Sequence, residues 1–335
     1  MKKFLLLIPV MLISCSAETA LRFDEKGEFK IVQFTDLHYH AGKPESIAAL
    51  KRMDEVVKEE KPDLVVITGD IIYSSPADKA LKPVLERLSS YGIPFCTVFG
   101  NHDADCGLGK DEMAALIHGC GGSLLPSDRS EDYAVEILPS DGGTSPAAVL
   151  YMMDSNAHLF KDGKFTGYDS IHPEQVQWYR ETSRGYTASN GGVPLPSLMF
   201  FHIPLPEYRT AATTDGTALY GTRMEPVCCP EENTGMFAAI RECGDVFGTF
   251  AGHDHDNDYA TCLDGILLAY GRFTGGNTEY NNLPNGARGI VLKEGKRELD
   301  TWCRIKGGKV IDEMTFPTSF EKTPWQKRPL DPECR

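Results

Sequence analysis

Apolar residues along this chain fall into short, nearly unbroken runs divided by polar stretches. The clearest are 30–34 (KIVQF), 64–68 (LVVIT), 95–99 (FCTVF), 148–153 (AVLYMM), 198–201 (LMFF) and 246–251 (VFGTFA). Several show no polar alternation, as expected of strands covered on both faces. Between some of them the period changes. Ile47, Leu50, Met53, Val56 and Val57 recur at helical spacing behind Pro44 and Glu45, a plausible helix start. Leu81, Val84, Leu85 and Leu88 do the same before the third run, and Met236, Phe237 and Ile240 mark a short helix before the sixth. The stretch 171–179 (IHPEQVQWY) reads as another helix start, with Trp178 packing. Strand, helix, strand is a βαβ rhythm. Later, 264–270 (DGILLAY) and 288–292 (RGIVL) read as hairpin strands. The pattern predicts one α/β domain with two stacked sheets between helices.

Metal-capable and acid–base side chains cluster just after these runs. Asp36 and His38 come after the first, Gly69 and Asp70 after the second, and Gly100, Asn101, His102 and Asp103 after the third. His202 comes after the fifth, and Gly252, His253, Asp254 and His255 after the sixth. Ligand sites in open α/β sheets form at the carboxyl ends of strands, so these sets can converge on one rim. Glycine stands before three of them, which suits a sharp turn off the strand. Asp36, His38, Asp70, Asn101, His202, His253 and His255 are oxygen or nitrogen donors, too many for one ion. They suit two cations about 3.5–4 Å apart with one shared carboxylate. Mixed imidazole and carboxylate donors fit Mn, Fe or Zn better than Ca or Mg.

Composition narrows the partners. The chain has 335 residues, 41% of them hydrophobic, enough for a substantial core. Its formal net charge of −14 argues against a nucleic-acid partner, because phosphate backbones are held by clustered Lys and Arg. A small phosphoester held through bound cations stays compatible. Residues 1–15 open with Lys2 and Lys3, continue through a short apolar stretch and end in Leu12, Ile13, Ser14 and Cys15. The stretch is shorter than the roughly 20 residues of a spanning helix. Its end resembles the lipobox of bacterial lipoproteins, which implies a signal peptide over 1–15 and a lipid on Cys15. The expectation is an exported lipoprotein on the periplasmic face of a bacterial membrane, the outer membrane first, touching that membrane only through its lipid. Nine cysteines then remain, an odd number with no CxxC spacing. One or two disulfides among Cys228, Cys229, Cys243 and Cys262 weigh about evenly against buried thiols. No coiled coil or amphipathic partner helix stands out, so no oligomeric state is indicated.

In chain order, "DLH", "GD", "GNHD", a lone histidine after a strand and "GHDH" resemble the motifs of the calcineurin-like metallophosphoesterases over about 29–275. "FFHIPLPEY" (200–208) and "GHDHDND" further resemble the purple-acid-phosphatase-like subgroup. The resemblance implies a four-layer α-β-β-α sandwich, two mixed sheets flanked by helices, with a dinuclear site at strand carboxyl ends. The chain is read as a single domain over 29–335, with 16–28 as a tether. The resemblance assigns the first metal to Asp36, His38, Asp70 and His255 and the second to Asp70, Asn101, His202 and His253, Asp70 bridging. Two cations would neutralise an anionic ester and lower the pKa of a bridging water, whose hydroxide attacks phosphorus in line. His102, beside Asn101, is the candidate general acid for the leaving group. A phosphatase acting on monoesters is the first reading. A phosphodiesterase with the same site, or a non-catalytic metal-binding lipoprotein on this scaffold, are the alternatives.

The chain departs from true purple acid phosphatases at one point. These have glycine where His38 stands and a metal-binding tyrosine three residues after the bridging Asp, a place Tyr73 occupies here. Tyr73 is read as a phenolate ligand, as an orienter of His102, or as packing. Asp103 and Asp254 read as carboxylates that orient histidines or as turn caps. Arg272 reads as half of a surface ion pair or as a phosphate grip. His40 is assigned to solvent. Asp154 and His158 are placed at the rim of the site without a role.

Overall fold

The computed structural model describes residues 20–129 and 131–328; the lipobox at Cys15 lies outside them. In chain order the strands are β1 (Glu28–Phe34), β2 (Leu64–Thr68), β3 (Phe95–Val98), β4 (Tyr133–Ile137) and β5 (Ala148–Met152). Then come β6 (His158–Lys161), β7 (Lys164–Tyr168), β8 (Ser197–Phe200), β9 (Leu219–Tyr220) and β10 (Val246–Ala251). The last are β11 (Ala260–Leu263), β12 (Ile266–Tyr270), β13 (Gly286–Lys293), β14 (Leu299–Ile305) and β15 (Lys309–Phe316). The helices are α1 (Pro44–Glu60), α2 (Ala77–Ser90), α3 (Lys110–His118), α4 (Pro173–Ser189), α5 (Pro206–Thr213), α6 (Met236–Cys243) and α7 (Thr318–Lys322).

Two sheets carry the fold. One runs β15-β14-β13-β1-β2-β3, the other β4-β5-β8-β10-β12-β11-β9. Within the first, β1, β2 and β3 are parallel. Within the second, β5, β8, β10 and β12 are parallel. The antiparallel members hang on their edges, so both sheets are mixed. The inner faces meet in one core, where Phe200 of β8 and Phe250 of β10 stack with centroids 5.2 Å apart. A second core, around Met199, Tyr179, Phe237 and Ile240, binds α4, α5 and α6 to the outer face of the second sheet. Helix α1 covers the first sheet through Ala49, Leu50, Met53 and Val56. This is the α-β-β-α sandwich expected. It explains the unalternating strands: all residues of β2, β3, β5, β8 and β10 are buried.

Details differ from the pattern. Ile47, on the predicted apolar stripe of α1, is 53% exposed, the buried face of the helix starting at Ser46 and Ala49 instead. Helix α2 starts at Ala77, four residues before its first predicted contact. Of the proposed tether 16–28, residues 20–28 are described: Leu21 and Phe23 are buried and Phe23 N–H donates to Leu138 O at 3.0 Å, so these residues pack on the folded body. No disulfide links the described cysteines. Cys243 ends α6 and packs, like Cys229, on the second core, while Cys262 lies on β11 against the first.

One buried carboxylate ties α4 to the sheet. Asp132 Oδ1 accepts from Asp154 N–H and from Gln175 Nε2, both at 2.9 Å. Burial outweighs these bonds and pushes its pKa up to about 6. A raised carboxyl pKa favours the folded state while the group stays protonated. That contribution is complete below the ordinary value near 3.8 and is lost as pH rises to about 6. Asp132→Asn keeps an acceptor and removes the charge. The variant is expected to unfold at higher urea than the parent at pH 8, by up to about 3 kcal/mol, the gain shrinking toward pH 4. Equal midpoints at both pH values would contradict the burial penalty.

Candidate metal centre

The parallel strands of both sheets end at one rim, and the loops leaving them carry the donors. Asp36 N–H donates to Gly69 O at 3.2 Å and His38 N–H to Asp70 O at 2.9 Å, stitching the first two loops together. Gly252 N–H donates to His202 O at 3.0 Å and joins the last two. Four donor residues stand in the left-handed backbone region: Asp36 (φ 54°), His38 (φ 43°), Asp70 (φ 49°) and His253 (φ 77°). Such conformations cost on the order of 1 kcal/mol or more each and concentrate at functional sites. All three glycines are required for close approach. Gly69 also makes a left-handed turn (φ 80°), and a Cβ there would lie 2.5 Å from His202 Nδ1. A Cβ on Gly100 would enter the Asp70 carboxylate, and one on Gly252 would enter the Thr35 hydroxyl.

The side chains gather into two buried sets. Asp36, His38 and His255 bring donor atoms within 4.8 Å of one another, and so do Asp70, His202 and His253. Asp70 joins them, its Oδ2 lying 3.5 Å from His38 Nε2 and 3.3 Å from His202 Nε2. Asn101 Oδ1 lies 3.1 Å from His202 Nε2. Within each set two imidazole nitrogens face each other: His38 Nε2 and His255 Nε2 at 3.1 Å, His253 Nδ1 and His202 Nε2 at 3.3 Å. Backbone carbonyls fix two of these rings. His202 Nδ1–H donates to Thr68 O at 2.8 Å and His255 Nδ1–H to Tyr280 O at 2.7 Å. Both Nε2 lone pairs are thereby aimed inward, the arrangement of rings prepared for a metal.

The charges agree with that chemistry. Among the described residues, Asp36 and Asp70 form ion pairs with histidines and not with Lys or Arg. Burial opposes ionisation of Asp70, yet His202 and His38 hold it well below the usual carboxylate range. Burial likewise disfavours a charged His202, but Asp70 and Asp36 pull it up to about 10. Burial pushes His255 down to about 4 and His253 well below its ordinary value. The site thus holds buried carboxylates that draw protons onto His202 and His38 while burial keeps His253 and His255 neutral, a demand for positive charge that two cations fit.

A cleft of about 80 Å³ opens onto this set, walled by His102, Tyr168, Glu279 and Tyr280. His102 N–H donates to Asp70 Oδ1 at 2.9 Å, and its Nδ1 lies 3.4 Å from Asp105 Oδ2. Tyr73 stands edge-on to both His38 and His102, with centroids 5.3 and 4.8 Å away. Burial and Glu279 push its hydroxyl above the ordinary value.

Other assignments move. Asp103 orients no histidine. It is buried and accepts from Ile71 N–H and Ile72 N–H (2.8 and 3.1 Å) and from Gly100 N–H (2.7 Å), so it fastens the second loop to the third. Asp254 accepts from Tyr270 OH at 2.6 Å and from Cys228 N–H, and holds the last loop in place of a histidine. Arg272 is neither a surface residue nor a phosphate grip. It is 2% exposed and forms a buried ion pair with Asp258. Removing one partner of such a pair leaves the other charge buried, so Arg272→Met is expected to cost about 3–5 kcal/mol. A urea midpoint equal to the parent's would contradict this. Asp154 pairs with Lys110 away from the donors. His158 joins the site: its Nε2 lies 3.0 Å from Asn101 Nδ2. It sits on β6, and β6 and β7 form a hairpin whose far strand places Tyr168 edge-on to His253 at 4.4 Å. The Asp162–Gly163 pair between these strands, flanked by Leu159, Phe160 and Phe165, is a sequence signal for this hairpin.

Known proteins align with this geometry. The family model of the calcineurin-like phosphoesterases matches residues 29–257. "Probable inactive purple acid phosphatase 14" of Arabidopsis thaliana is 30% identical over 75% of this chain and 71% of that one. "Phosphatase DCR2" of Saccharomyces cerevisiae is 29% identical over 86% of this chain and 55% of its own length. A dimetal phosphatase from Danio rerio shares the fold with a TM-score of 0.59 at 15% identity, covering 86% of this chain and 98% of that one.

Proposed function

The chain belongs to the calcineurin-like phosphoesterases, in the branch similar to purple acid phosphatases, and from that premise we propose that it hydrolyses phosphate monoesters on two cations. Asp36, His38 and His255 would hold the first cation, Asn101, His202 and His253 the second, and Asp70 would contribute to both. The carrying observation is the position of Asp70 Oδ2, within 3.5 Å of a histidine from each set. Bound there, Mn, Fe or Zn ions supply charge neutralisation for the ester and an acidified water as nucleophile. The protein residues do the remainder. Thr68 O and Tyr280 O keep two imidazoles in the ligating tautomer. Asp105 lies beside His102 Nδ1, which leaves Nε2 to pass a proton to the departing oxygen.

Support for a monoesterase comes from a relative called a phosphatase. Three of the Arabidopsis relatives carry "inactive" in their names. The present chain has all seven donors, and an idle scaffold has no physical reason to hold buried carboxylates and imidazoles against one another at the cost of desolvation. Hydrolysis of p-nitrophenyl phosphate and of its bis ester tests the reading. Turnover of the monoester at a higher kcat/KM supports it, and preference for the bis ester replaces it with the diesterase. Two ions without turnover of either ester would favour the non-catalytic alternative. Export and lipidation at Cys15 belong to the same proposal, and a Cys15→Ser chain released from the membrane fraction would support them.

A further inference from the structure

Asn101 is the one amide among the proposed donors, and an amide can present either end to a cation. Only its oxygen is a useful ligand. Something must keep Oδ1, rather than Nδ2, turned toward His202. The Asn101 amide lies between two histidines, with Oδ1 3.1 Å from His202 Nε2 and Nδ2 3.0 Å from His158 Nε2. An amide nitrogen only donates, so the second contact requires His158 Nε2 to be the lone-pair nitrogen. The proton of that ring then sits on Nδ1, which lies 3.7 Å from Asp105 Oδ2. A carboxylate on that side favours this tautomer, as carboxylates do for metal-bound histidines. The order Asp105, His158, Asn101 thus runs from an exposed acid to a buried donor. The hairpin of β6 and β7 holds the ring through Phe165 at 5.5 Å, Phe160 at 5.9 Å and Tyr168 at 5.8 Å.

We propose that His158 is a positioning residue that fixes the Asn101 amide with its oxygen toward the second cation. It touches neither ester nor cation and acts through Asn101, on one half of the centre. The inference rests on Asn101 as a donor to the second cation.

The test is titration of the metal-stripped full chain with Mn(II), following stoichiometry and the exchange-coupled paramagnetic signal of two ions sharing a carboxylate. His158→Phe keeps a ring among Phe160, Phe165 and Tyr168 but offers no acceptor. His158→Gln offers an acceptor without the ring. The parent is expected to bind two ions. His158→Phe should hold one ion with parental affinity and the other about 10–100-fold more weakly, losing the coupled signal at low Mn(II). His158→Gln should restore most of the loss. Asp105→Asn, at a side chain 54% exposed, leaves packing untouched and should weaken the same ion alone. A mere loss of negative charge would weaken both ions. Parental binding in His158→Phe, or a loss in His158→Gln as large as in His158→Phe, overturns the proposal. A parent that binds fewer than two ions overturns the two-cation reading itself and takes this inference with it.

Discussion

Replacing Asp70 with alanine is expected to lower kcat/KM on p-nitrophenyl phosphate by about 10³–10⁴-fold and to weaken both cations together. The magnitude follows from losing several kcal/mol of charge stabilisation in the transition state, at about 1.4 kcal/mol per tenfold. The joint loss follows from geometry. Oδ2 stands between His38 and His202, while Oδ1 takes the His102 backbone N–H, so one carboxylate supports both donor sets and the general-acid loop. Asp36→Ala tests the contrast. Asp36 belongs to one set, its carboxylate accepting from His253 N–H at 3.1 Å and from Thr35 Oγ1 at 2.6 Å. Its loss should release the first cation more readily than the second. An Asp70→Ala protein that kept one ion at parental affinity would mean that the sets are independent and that Asp70 does not bridge them.

The second large effect concerns His102. His102→Ala should retain two cations, because the imidazole belongs to neither donor set, and should lower kcat by about 10²–10⁴-fold on esters with poor leaving groups. The loss should be much smaller on p-nitrophenyl phosphate, whose phenolate departs without a proton. This dependence on the leaving group separates a proton donor from a residue that merely shapes the cleft, whose loss would lower all esters alike. An equal loss across alkyl and nitrophenyl esters would remove His102 as general acid.

How far the sequence carries the structure depends on how local the cause is. The donors are legible because each comes within a few residues of a short apolar run, and parallel strands deliver their ends to one rim. The layered fold is legible for the same reason, since runs buried on both faces need covers on both sides. The glycines are legible as necessary, yet the turn is only part of the reason: of the three only Gly69 turns left-handed, while all three make room for groups from other loops, His202 at Gly69, Asp70 at Gly100 and Thr35 at Gly252. That crowding comes from tertiary contact and has no sequence pattern. Arg272 shows the limit more plainly. Its partner Asp258 is near in sequence, but burial of the pair depends on how the two sheets close over it. His158 lies between these cases. Its hairpin carries a local signal at Asp162 and Gly163, but the bond to Asn101 spans 57 residues and depends on how the hairpin folds back over the rim.

Metal content of the freshly purified full chain, measured by mass spectrometry and again after resupply of Mn, Fe and Zn, tests the central claim most directly. Two ions per chain, falling toward none in Asp70→Ala, is the predicted result. One ion or none after resupply would contradict a dinuclear centre and leave seven converging donors in need of another explanation.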